Sequence, residues 1–119
     1  MIVELIQKAF CSRNATHLAH WRTKSFAQHQ ALGSFYDGVI DLIDKLVEAN
    51  MGAAGKVVPE FDVPELKPVK DILKHLSEEV AWIDENRSEI ASNIPALENI
   101  VDEITGLYLS TIYKLKQLS

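Results

Sequence analysis

The sequence predicts an all-α protein, a four-helix bundle with one long crossover between its second and third helices. Three observations point that way. Apolar residues recur at three- and four-residue spacing through four separate stretches. The first two stretches are separated only by a turn at Lys24–Ser25, too short for anything but an antiparallel helical hairpin. Between the second and third, the periodicity collapses over GAAGKVVPEFDVPELKP, where two glycines and three prolines leave no regular helix.

The first helix is expected over about 2–24, with Val3, Ile6, Phe10, His17 and Trp21 on one stripe and Asn14 beside it. Arg22 and Lys24 lie in its last turn, where positive charge suits the helix dipole. Ser25 is an N-cap, with Gln28 completing a capping box. The second helix then runs over 26–51 and stops at Gly52. Its apolar face, from Ala31 and Leu32 through Phe35, Tyr36, Val39, Ile43 and Leu46, covers about half the circumference, enough to pack against more than one neighbour.

The connector, 52–67, is long enough to matter. The second helix is about 40 Å long, and about 15 extended residues reach at most about 50 Å. The third helix can therefore start parallel to the second. It opens at Pro68 and runs to 91, with Val69, Ile72, Leu73, Leu76, Val80, Ile83 and Ile90 inward. Asn93 caps a fourth helix over 94–118, with Pro95 in its first turn. One long crossover in a four-helix bundle is the ferritin-like topology.

Composition narrows the function. At 119 residues the chain makes one domain. A net charge of −5 opposes a sequence-independent grip on nucleic acid. A lone cysteine, Cys11, makes no internal disulfide and fits a reducing compartment. MIVELIQKAF does not resemble a secretory leader, and no apolar stretch nears the roughly 20 residues a membrane span needs. A cytoplasmic protein without nucleic-acid or membrane partners is expected. With no Gly-rich phosphate loop, nucleophile elbow or partnered Cys11, neither nucleotide chemistry nor nucleophilic catalysis is indicated.

The most informative segment is His20 to Glu48. Asp37, Asp41, Asp44 and Glu48 fall in one narrow stripe of the second helix, with His29 at its edge. Like charges at that spacing repel by about 0.2–0.5 kcal/mol per pair, and Lys45 points away from them. A metal ion, a partner surface or solvent must compensate. Iron and similar cations accept imidazole nitrogen together with carboxylate oxygen, whereas four acids on a helix face are also what a solvated surface looks like.

The run Ala19–His20–Trp21, then His29, Asp44 and Glu48, resembles the Dps family of ferritin-like proteins, which oxidise and store iron. The spacing from His29 to Asp44 and from Asp44 to Glu48 matches the family pattern. His20–Trp21 matches its AHW motif if the interhelix turn is three residues shorter; otherwise His17 takes that place. Small ferritin-like proteins, some carried by tailed phages, are similar in the pattern HWxTKS…H…YD…D…E. The resemblance implies a site for iron or another divalent cation across a two-fold interface. His20 (or His17) of one subunit would meet Asp44 and Glu48 of the other, with His29 a further ligand, in a homodimer or higher homo-oligomer. Weak ferroxidase activity is a further implication.

Two departures limit it. Gly33 stands where the family has an aspartate, so Asp37 or Asp41 would have to replace that acid, unless Gly33 and Gly38 instead mark close helix approach. No Lys-rich N-terminal tail is present, so DNA binding does not follow. A di-iron site inside the bundle is not expected either, because no Glu-x-x-His pair occurs.

Plainer roles are expected for the rest. His17 is a hydrogen-bonded core histidine with Asn14 as partner, and Trp21 is packing in the core or a dimer. His75 is a surface residue. Trp82, Leu109 and Tyr113 point outward and suggest an assembly surface. Two functions therefore remain open: a metal-binding Dps-like dimer, and a metal-free helical interaction module.

Overall fold

In a computed structural model, residues 1–118 form an all-helical molecule of 46 × 27 × 21 Å. It has four long helices and one of a single turn: α1 (Ile2–Arg22), α2 (Phe26–Ala54), α3 (Ile72–Glu85), α4 (Arg87–Ile90) and α5 (Pro95–Gln117). No helix among these residues is long and apolar enough to cross a membrane.

Local chemistry sets the boundaries. The Ser25 hydroxyl accepts from the Gln28 N–H at 3.2 Å, as an N-cap should. The reciprocal arm of the expected capping box passes through Thr23 instead. The Thr23 hydroxyl donates to Gln28 Oε1 at 2.9 Å and accepts from the Ser25 N–H at 3.2 Å. Helix α2 runs past Gly52 and ends at Gly55, whose φ of 70° is the left-handed conformation that closes a helix. At the next start the Asp71 carboxylate, not Pro68, is decisive: it accepts from the Lys74 N–H at 3.0 Å and α3 begins at Ile72.

The single helix expected over 68–91 is broken. Asn86 turns its amide back to donate to the Trp82 carbonyl at 2.8 Å, competing with the helical ladder. One further turn, α4, follows. Ser92 and Asn93 then both take positive φ, 52° and 58°. Asn93 is therefore part of the reversal, and Ile94 occupies the N-cap of α5.

Contacts between helices give their directions. Gly38 meets Leu107, and Lys45 pairs with Glu103 at 2.9 Å, so α5 rises as α2 descends. Ser12 of α1 meets Glu79 of α3, and Lys8 lies over the Trp82 ring, so α1 and α3 are antiparallel too. With α1 and α2 joined as a hairpin, α2 and α3 run the same way. The segment 55–71 carries the chain back between them.

The core gathers Leu5, Ile6 and Ala9 of α1, Leu32, Phe35, Val39 and Leu46 of α2, Leu76 and Ile83 of α3, and Val101, Ile104 and Tyr108 of α5. Phe35 and Tyr108 meet edge to face at 4.9 Å. One expectation fails here. The buried side of α1 is Leu5, Ile6, Ala9, Ser12 and Thr16; of the expected stripe Ile6 is buried and Phe10 packs against the core, but Val3 and His17 are only half-buried and Trp21 lies outside. Ser12 faces inward because its hydroxyl meets Glu79 and Tyr108 on other helices, and Trp21 is left 68% exposed.

Candidate functional site

The short α1–α2 turn sets the last turn of α1 against the first turns of α2, and His20 meets His29 there. His20 Nδ1 lies 2.6 Å from the His29 carbonyl, and His29 Nδ1 lies 2.7 Å from the His20 carbonyl. A carbonyl only accepts, so each Nδ1 carries the proton and donates. On each neutral ring Nε2 then keeps its lone pair. The His20 carbonyl belongs to the last turn of α1, where helical partners run out, so His29 also satisfies a helix end. The two rings stack with centroids 3.5 Å apart and planes 19° apart.

Gly33 makes this possible. A Cβ at that position would lie 3.1 Å from His20 Cε1 and 3.2 Å from its Nδ1. The His20 ring thus takes the space a side chain at position 33 would need. Gly38 likewise lies against Leu107, at 3.4 Å from a built Cβ.

Aromatic rings continue the cluster. His17 stacks on Tyr36 at 4.1 Å and touches Trp21 at 4.3 Å, with the Arg13 guanidinium 5.3 Å from the Tyr36 ring centre. His17 is half-buried, and Asn14 is not its partner, since Asn14 Oδ1 accepts from Arg13. Desolvation, then the charges of Arg13 and His20, pull its pKa below the ordinary value, against a smaller opposite pull from Asp37.

The acids lie elsewhere. Asp37, Asp41, Asp44 and Glu48 are all exposed along α2. Asp44 is about 22 Å along the helix axis from His29, at about 1.5 Å per residue. Among the described residues of one chain, no three His, Cys, Asp or Glu side chains form a group able to hold a metal.

A second cluster escaped the sequence reading. Tyr108 donates to Ser12 Oγ at 3.0 Å, and Ser12 donates to Glu79 Oε1 at 2.8 Å. His75 Nε2 lies 3.1 Å from the same Glu79 oxygen and 3.2 Å from Ser12 Oγ. His75 is thus a part-buried member of a polar network, not a surface residue. The acid and the serine share one ring nitrogen, which is not the serine–histidine–acid relay of a hydrolase. Burial, then the Glu79 charge, pushes the Tyr108 phenol far above its ordinary range. Trp82 is partly buried against the core, correcting its outward assignment, whereas Leu109 and Tyr113 are 52% and 59% exposed. The signal that could have found this network is the four-residue spacing of Ser12–Thr16 and His75–Glu79.

These features define an all-helical protein with paired histidines at its first turn and an acidic second helix. A family model described as DUF5856, a family of unknown function, matches residues 20–115, and the chain belongs to that family. It is similar to the "Uncharacterized 14.6 kDa protein in mobD-ri intergenic region" of Enterobacteria phage T4, at 32% identity over 100 residues, covering 83% of this chain and 75% of the relative. No solved structure matches.

Proposed function

We propose that this protein is a ferritin-like four-helix bundle that binds iron or another divalent metal at a site completed by a second copy of itself. The observation that carries the reading is the His20–His29 pair. Histidines that ligate metals almost always donate their other ring N–H to a carbonyl or carboxylate, and both rings here do so while keeping Nε2 available. Their planes are nearly parallel, so the two lone pairs do not converge on one ion. Each ring suits its own ion, and two-metal centres hold ions about 3.5–4 Å apart.

Carboxylates must come from outside the chain's own turn. A partner with its α2 antiparallel would bring its acids, Asp44 and Glu48 first, toward these histidines. Metal would then offset the repulsion along the acidic stripe. His17, neutral and stacked, serves the aromatic surround, and Asp37 and Asp41 supply further negative charge.

Calorimetric titration with zinc, or with ferrous ion without oxygen, tests the reading. Wild type should bind saturably, and His29→Ala and Asp44→Ala should each lose binding while staying helical. Mixing the two variants should restore it, because one chain supplies histidines and the other acids. Unchanged binding in either variant, or no recovery on mixing, rejects the shared site. Ferric absorbance under air then asks whether bound iron is oxidised.

The second reading, a metal-free interaction module, is favoured by Trp21 and Phe26, 68% and 72% exposed beside the same turn. A titration without metal binding, together with loss of self-association in Trp21→Ala, would favour it.

A further inference from the structure

Away from the histidine pair, a groove of about 490 Å³ lies between the first half of α1, the connector and α3. Glu4, Asp62 and Glu79 line it against one lysine, Lys8, whose Nζ lies 4.8 Å from the centre of the Trp82 ring. Glu79 is the unusual member. Its side chain is 8% exposed, and its Oε1 meets both Ser12 and His75. Its Oε2 has under 1 Å² of exposed surface and no hydrogen-bond partner. A buried carboxylate oxygen without a donor is costly, and a cation that donates to it removes that cost.

We propose that this groove opens slightly over Glu79 to admit an alkylammonium group, which donates to the now-covered Oε2 and lays its methylene chain along Val63 and Pro64. The chemistry selects among cations. Burial raises the Cys11 thiol pKa, which disfavours the thiolate a metal would take, and no three-donor metal group exists among the described residues. A guanidinium pairs best through both oxygens of a carboxylate, and here Oε1 is already taken. An ammonium is a compact donor that one free oxygen satisfies.

The ammonium could come from a free diamine or from a lysine side chain, and the probes separate them. Butane-1,4-diamine, Nα-acetyl-lysine methylamide and methylguanidine are titrated separately at constant ionic strength, following the His75 ring by NMR. Saturable shifts are expected with one of the two ammonium probes, and the tighter one names the source. Glu79→Gln should weaken binding by about tenfold or more. Val63→Trp, on an exposed position of the groove, should block binding and leaves the core untouched should Glu79→Gln not fold. No saturable shift with either ammonium, equal binding by methylguanidine, or undiminished binding in Val63→Trp overturns the proposal.

Discussion

Gly33 shows how one missing atom shapes the site. The His20 ring occupies the space a Cβ would need, at 3.1 Å, while held by a 2.6 Å hydrogen bond. Overpacking costs about 1–3 kcal/mol, and leaving glycine in a helix returns at most about 1 kcal/mol. Gly33→Asp should therefore destabilise the protein by about 1 kcal/mol and part the stacked rings, visible in thermal unfolding and in the His20 and His29 NMR signals. Unchanged stability would mean that the ring moves aside freely. Ser12 is the other residue whose neighbours depend on it, accepting a hydrogen bond from Tyr108 and donating one to Glu79. Ser12→Ala leaves buried partners unmet and should cost about 1–3 kcal/mol in urea unfolding. A loss well below that would show that the network re-forms without it.

Among the elements, α4 is the one held by charge. Arg87 pairs with Asp102 through two nitrogens and also reaches Glu98. The hydrogen bond from Arg87, followed by its charge, holds the Asp102 carboxyl below its ordinary pKa against desolvation. A depressed carboxyl contributes stability above its unfolded pKa and loses it as pH falls through the folded value. The α4–α5 corner should thus loosen only in acid. The Asp102 carboxyl carbon should titrate below a free aspartate, and Arg87→Ala should return it to the ordinary value. An unshifted titration in wild type would show the pair to be solvated.

For the whole molecule, the proposed site stands or falls on association, which is an expectation to be measured. Around the first turn Leu18, Trp21 and Phe26 are 44%, 68% and 72% exposed. Contiguous exposed apolar surface is uncommon on monomers, and closed two-fold dimers are the commonest way to cover it. A dimer is expected by light scattering, weakening with EDTA if metal joins histidines to the partner's acids. A monomer with and without chelator would remove the shared-site mechanism.

Periodicity, capping residues and glycine–proline content are local properties, so the helices, the short first turn, the long return before α3 and the exposed acidic file were all legible in the sequence. Helix ends were legible to within a turn at Gly52 and Gly55. The break at Asn86 was not, since it depends on one side chain competing for one carbonyl. His20 and His29 were both singled out in the sequence, but their mutual contact, its tautomers and the packing of His20 on Gly33 were not legible there. Which side of α1 is buried became visible only once the helices were packed. There Leu5, Ala9, Ser12 and Thr16 make a face of mixed hydropathy, and Ser12 points inward because it finds Glu79, His75 and Tyr108 on other helices. Such partners lie 63–96 residues away in the chain, beyond the reach of any local pattern.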